Sequence, residues 1–237
     1  LLLLRGNIGR EDAGPSPVRG HSNVQGNRTC GIDHRPSPAF LDRLAAVCGI
    51  VPPYEHGVDT VDTIKAMNEG TVKVFIGVGG NFVLVAPDTA YTSAGLRRCE
   101  LTVHVSTKLN RSHLVHGKKA LMLPCLGRTE KDHQRHGLQA VSVEDYMSMV
   151  HLSVGMKRPA SAHLLSEPAI IAGMARAALP GSSTSWEAYT EDYDRIRDTM
   201  AAALDGAGWP RVMNSSARSR ASANCAKPSR REHDRTE

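Results

Sequence analysis

The 237 residues predict an α/β fold: a layered, Rossmann-like parallel sheet with flanking helices, incomplete, followed by a disordered C-terminal tail. Three observations predict it. Between Val72 and Leu123, β-rich runs alternate with helical periods, the rhythm of a parallel sheet joined by right-handed crossovers. Apolar residues make up 41% of the chain, enough for a core. From residue 214 onward there is no Leu, Ile, Val, Phe, Tyr or Trp, so that segment has no face to bury.

The elements follow in order. Arg5 to Ile32 lacks periodicity and holds six glycines and two prolines, which predicts a long ordered ligand loop. Pro38 to Cys48 reads as a helix, with Phe40, Leu41, Leu44 and Val47 on one face and Gly49 as its stop. Val58 to Asn68 reads as a second helix, ended by Gly70. Val72 to Val78 is a strand leading into the turn Gly79-Gly80-Asn81. A helix from Asp88 to Arg98 connects to a strand over Leu101 to Val105. A short helical piece then precedes a third strand, Ala120 to Leu123, stopped by Pro124. Residues 125–165 are irregular. Two helices close the pattern, Glu167 to Leu179 and Trp186 to Leu204, the second with a predicted capping box in Thr184 and Glu187. The organisation is thus a cofactor or active-site loop segment over 1–32, an α/β region over 33–206, and a basic low-complexity tail over 207–237.

Charge and cysteine usage narrow the classes. Of the net charge of +5, +4 sits in the tail, where seven Lys/Arg face three Asp/Glu, leaving 22 against 21 in the rest. A nucleic-acid reading therefore has only the tail to stand on. The longest apolar candidate, Ala169 to Leu179, contains Arg176 and is shorter than the roughly 18 residues of a membrane span. The five cysteines are an odd number with no CxxC, which predicts reduced thiols in a cytoplasm. The pairs His113/His116 and His133/His136 lie one helical turn apart, with no Cys or carboxylate at ligand spacing apart from Glu130 and Asp132 in a charged loop, so no protein-held metal is expected. The chain opens Leu-Leu-Leu-Leu-Arg-Gly rather than with Met, and is expected to be a piece of a longer protein.

Three stretches carry candidate chemistry. Gly77 to Asn81 lies between a strand and a helix, where backbone amides can cradle phosphate, although glycines after a strand usually make only a turn. Ser106-Thr-Lys-Leu-Asn-Arg-Ser-His113 follows the next strand and gathers hydroxyls, an amide and cations suited to a diphosphate, or else a solvated loop with a helix cap. In Pro17-Val-Arg-Gly-His-Ser-Asn-Val-Gln-Gly26, the side chains of Arg19, His21, Asn23 and Gln25 suit a polar heterocycle and an anion, and a surface turn remains open.

These segments, together with Leu-Leu-Leu-Arg-Gly-Asn-Ile-Gly near the start and Leu-Pro-Cys-Leu-Gly-Arg-Thr-Glu before residue 131, resemble the alpha subunit of formate-dehydrogenase-like molybdopterin oxidoreductases over about residues 1–204. The resemblance implies a molybdenum held between two pterin guanine dinucleotides (bis-molybdopterin guanine dinucleotide). It implies catalytic roles for Arg19, which would steady an anionic substrate beside the metal, and for His21, which stands where many relatives carry Gln. Gly20, Asn23, Val24, Gln25 and Gly26 would line the pterin pocket, and Gly80, Asn81, Ser106, Thr107, Lys108 and Asn110 would hold a dinucleotide arm. The 4Fe-4S cluster cysteines of the family have no counterpart here.

The function so implied is two-electron oxidation or reduction of a small molecule, carried out by the cofactor in a complete subunit, with an electron-transfer partner and no nucleic acid or membrane span. The isolated chain is expected to be inactive and the tail to be a truncated or out-of-frame end. A non-catalytic remnant with residual nucleotide binding is the alternative, and a nucleic-acid binder acting through the tail a third.

Overall fold

The computed structural model describes residues 1–15, 23–145 and 150–204, with the side chains of Gln25 and Thr29 left out. Its elements in chain order are α1 (Val24–Thr29), α2 (Pro38–Cys48), α3 (Thr60–Glu69), β1 (Val74–Val78), α4 (Phe82–Val85), α5 (Thr89–Arg98) and β2 (Leu101–Ser106). A 3-10 turn (Arg111–Leu114) leads to β3 (Lys119–Pro124). Two small hairpins follow, β4 (His133–Gln134) with β5 (Gly137–Leu138), and β6 (Val141–Glu144) with β7 (Val150–Ser153). The described chain ends with α6 (Glu167–Ala178), α7 (Trp186–Glu191) and α8 (Tyr193–Leu204).

β1, β2 and β3 form the predicted parallel sheet in that spatial order, with Ile76 beside Val103 beside Leu121. β2 is central, and Thr102 to Val105 are buried on both faces, as a β-branched run in a parallel sheet requires. One face is covered by α3, α4 and α5 through Met67, Val83, Leu96 and Cys99, with Val115 closing the cluster. Close approach of α3 and α5 depends on Gly95, where a Cβ would come within 3.0 Å of Met67 Cβ. On the other face α6 packs Ile170 and Met174 against Val105 and Cys125. Val74, Ile76 and Val78, toward the β1 edge of that face, are about half exposed.

Local rules account for most of the helix ends. Ser37, Asp59, Asp88 and Ser166 each accept a backbone N–H from the first turn of α2, α3, α5 and α6. Gly49 ends α2 at φ +64°, a left-handed conformation that costs glycine least.

Three sequence expectations are corrected. The stretch before residue 33 contains the short helix α1, which is held from afar: Asn23 Oδ1 accepts the Glu144 N–H at 2.9 Å. The helix expected over 186–204 breaks at Asp192, whose φ of −151° and ψ of 110° are extended. Tyr193 N–H instead donates to Gln139 Oε1 at 2.9 Å, and Asp194 N–H to Asp192 Oδ1 at 3.0 Å. The capping box of Thr184 and Glu187 does not form. Ser185 is the N-cap without a side-chain bond, and Thr184 Oγ1 donates to the Cys48 carbonyl.

A polar knot ties the hairpins to the helices. The buried Tyr193 hydroxyl donates to Asp132 and lies 2.6 Å from Ser166 Oγ. Burial, then the Asp132 carboxylate, push the Tyr193 hydroxyl well above the ordinary tyrosine range. Cys30, Cys48, Cys99 and Cys125 are free, and burial raises each thiol, so they act as small apolar residues.

The core predicts a contrast. Leu96→Ala, at a fully buried site, is expected to cost about 3 kcal/mol in denaturant unfolding, whereas Leu84→Ala, half exposed, costs well under about 1 kcal/mol.

Candidate functional site

In an open parallel sheet, ligands bind beyond the carboxyl ends of the strands. Here β1, β2 and β3 end side by side, Val78 next to Val105 next to Leu123, so three loops leave from one edge. They are Gly79–Asn81, 107–110 and 125–130.

The first loop is a glycine turn. Gly79 and Gly80 have φ of +70° and +72°, and a Cβ at either would meet no atom within 4 Å, so open space lies over the turn. Gly79 N–H donates across to the Val105 carbonyl at 2.7 Å, which anchors the turn to β2.

The second loop is tied to the first. Asn110 Nδ2 donates to the Gly80 carbonyl at 2.7 Å, while Asn110 Oδ1 accepts the Ser112 N–H at 2.9 Å. Ser112 is buried; its hydroxyl donates to Asn81 Oδ1 at 3.0 Å and accepts the Val83 N–H at 3.0 Å. Ser106 Oγ donates to the Lys108 carbonyl at 2.7 Å. The side chains of Asn81, Ser106 and Asn110 are thereby engaged in building the loops. Thr107 and Lys108 are exposed at the same edge.

The third loop is held by an acid that sequence reasoning passed over. Glu130 accepts the Gly127 N–H at 2.6 Å through one oxygen and the Ala160 N–H at 2.6 Å through the other. Those amides hold its carboxyl below the ordinary range, in that order. Gly127 lies near this edge, since a Cβ there would sit 3.9 Å from the Thr107 methyl. The signal for Glu130 was present in Leu-Gly-Arg-Thr-Glu, but its acceptor role depends on Ala160, 30 residues away.

The edge is electrostatically biased. Among the described residues, no ion pair engages Lys108 or Arg111, while the Glu130 charge is met by backbone amides. Such an arrangement favours an anion. No group of three or more His, Cys, Asp or Glu side chains gathers among the described residues.

The remaining predicted residues fall elsewhere. Arg19, Gly20 and His21 lie outside the described residues. Asn23 caps α1, Val24 is about half exposed, and Gly26 is buried where a Cβ would meet the Asn23 side chain and Glu144 Cβ. The backbone of Gln25 lies in α1. Among the described residues, no hydrogen bond joins Asn23 to Gly26 with the turns beyond β1 and β2.

Fold and edge together define an α/β protein with a candidate ligand site beyond its parallel strands. No family model matches the chain. It is 56% identical over 207 residues to a Mycobacterium tuberculosis protein named "Uncharacterized oxidoreductase Rv2900c", covering 87% of this chain and 27% of that protein. It is 50% identical over 204 residues to YdeP of Escherichia coli K12, covering 86% of this chain and 27% of that protein. A more distant match, 32% identical over 95 residues (36% of this chain and 10% of the relative), is to the Bacillus subtilis protein named "Putative formate dehydrogenase YrhE". The chain thus spans about a quarter of the length of the two nearer relatives. No helix among the described residues is long and apolar enough to cross a membrane.

Glu130 gives a pH-dependent test. Because its folded pKa is lowered, its contribution is present above the unfolded carboxyl pKa and is lost as pH falls through the folded value. Glu130→Gln is expected to speed amide exchange at Gly127 and Ala160 near neutral pH, and to converge with the native chain in acid.

Proposed function

We propose that this chain supplies part of the seat for a molybdopterin guanine dinucleotide in an oxidoreductase that oxidises or reduces a small molecule by two electrons. The observation that carries the reading is the hydrogen-bonded joining of the Gly79–Asn81 turn to the loop that follows β2, at the carboxyl edge of a parallel sheet. The oxidoreductase relatives and the formate-dehydrogenase name of one of them support it.

The residues fit such a group in chemistry. A dinucleotide arm brings phosphates, and the edge offers open space above two left-handed glycines and, on the neighbouring loop, the exposed Thr107 and Lys108. Lys108, Thr107 and the Gly80 backbone would contact the arm; Asn81, Ser106 and Asn110 would hold those contacts in place. Asn23, Val24, Gln25 and Gly26, with Gly20, would face the pterin. When bound, the group supplies the redox chemistry. The protein's part is orientation and charge: Arg19, with His21 nearby in sequence, would bind an anionic substrate and keep its charge matched. The iron–sulfur cluster of the resembled family and any electron-transfer partner would engage residues beyond these.

Two outcomes test the reading. GDP titrated into the 15N-labelled chain is expected to shift the amides of Gly80, Asn81, Thr107 and Lys108, and unmoved amides at saturating GDP would overturn it. In a complete enzyme carrying this stretch, Arg19→Ala is expected to lower turnover on the order of a hundredfold with molybdenum content unchanged. Parallel loss of metal and turnover would make Arg19 a cofactor-holding residue instead.

A further inference from the structure

Beneath the two joined loops lies a buried ring that neither candidate motif assigns. His113, in the 3-10 turn, is only 5% exposed. Its Nδ1 lies 3.0 Å from the Asn110 backbone nitrogen. It also lies 3.2 Å from the Asn110 carbonyl and from Asn110 Oδ1, which a protonated Nδ1 would engage. The shorter contact is to a group that can only donate. Nδ1 therefore accepts the Asn110 N–H, closing a capping box over the 3-10 turn.

The ring is fixed in place by its neighbours. Its centroid is 5.0 Å from that of His104, which is 5.8 Å from Phe75, which in turn is 5.0 Å from Phe82. Gly77 leaves room for this row: a Cβ there would approach Phe75 Cε1 to 3.0 Å and His104 Nδ1 to 3.6 Å. His104 Nε2 is buried without a hydrogen-bond partner, and burial above all lowers the His104 pKa.

From His113 the chain of bonds runs outward. His113 Nδ1 seats the Asn110 backbone; Asn110 seats the Gly80 carbonyl and the Ser112 N–H; Ser112 seats Asn81 and Val83. The bonds are 2.7 to 3.0 Å long and four of the five are at least partly buried, so losing the first loosens those above it. We infer that His113 is a positioning residue for the ligand edge: by accepting the Asn110 N–H it sets the spacing between the turn after β1 and the loop after β2, the spacing a nucleotide phosphate has to match. The ligand half of this inference rests on the reading under Proposed function; the positioning half stands on the bonds alone.

Two substitutions separate positioning from simple space-filling. His113→Phe keeps the ring and removes the acceptor. His113→Asn loses the ring but keeps an oxygen near the place of Nδ1. Amide exchange at Asn110, Ser112 and Val83 is expected to be on the order of tenfold faster in H113F than in the native chain, and near native in H113N. Thermal stability is expected to rank the other way, with H113N the less stable. Exchange that simply follows stability, faster in H113N than in H113F, would overturn the inference. So would 15N spectra showing the His113 proton on Nδ1. GDP response at Gly80 and Lys108 is then expected to be weakened in H113F and kept in H113N. A native chain that shows the exchange contrast yet ignores GDP would count against the cofactor reading and leave the positioning role supported.

Discussion

Everything at the ligand edge depends on the pairing of β2 with a parallel neighbour on each side. β2 is the only one of the three sheet strands whose middle residues, Thr102 to Val105, are all buried. Its apolar groups are removed from water on both faces, by the α3–α5 cluster on one and by Ile170 of α6 on the other. Because the three strands run the same way, their loops leave from one edge. Antiparallel pairing of β2 with β1 would send the Gly79–Asn81 turn to the opposite end of the sheet from Ser106, and no side chain in either loop spans that distance.

A loop standing on such an edge has to satisfy its own backbone before it can serve a ligand. That requirement decides what the polar residues do. Asn81, Ser106 and Asn110 have the hydroxyls and amides expected of direct contacts, yet their side chains close hydrogen bonds inside the protein. Composition alone cannot separate a residue that touches a ligand from one that shapes the loop, because both need the same donors and acceptors. Geometry separates them, and it leaves Lys108, Thr107 and the open glycine turn facing outward.

The same distinction explains what was legible in the sequence. α2, α3, α5, the three parallel strands and α6 follow from periodicity and caps, since their determinants lie within a few residues. α1 is stabilised by a bond from Asn23 to Glu144, 121 residues away, and no local pattern records it. The hairpin of β4 and β5 has two-residue strands, too short for alternation to register. The break at Asp192 is made by Gln139, which accepts from the Tyr193 N–H across 54 residues. At the site, the motifs located both loops, but Ser112 and His113 read as the trailing end of one of them. Their importance comes from burial, and a 3-10 turn buries residues without the apolar period that announces a helix face.

Charge and shape reach the same edge by independent routes. The shape comes from the parallel register and from two glycines whose left-handed backbone leaves space above them. The charge comes from which acids are already engaged. Glu130, the carboxylate of the third loop, is turned onto the amides of Gly127 and Ala160, so its negative field is met locally rather than projected over the edge. Lys118 at the opposite end of the sheet is paired with Glu100, whereas Lys108 has no such acid among the described residues. Lys108 is exposed and hydrated, and a ligand that covers it has to strip that water, a cost that an anion offsets and a neutral group does not. The room over the glycine turn and the unpaired Lys108 of the neighbouring loop are the two conditions on which the proposed phosphate-bearing ligand rests, and they arise from different parts of the sequence.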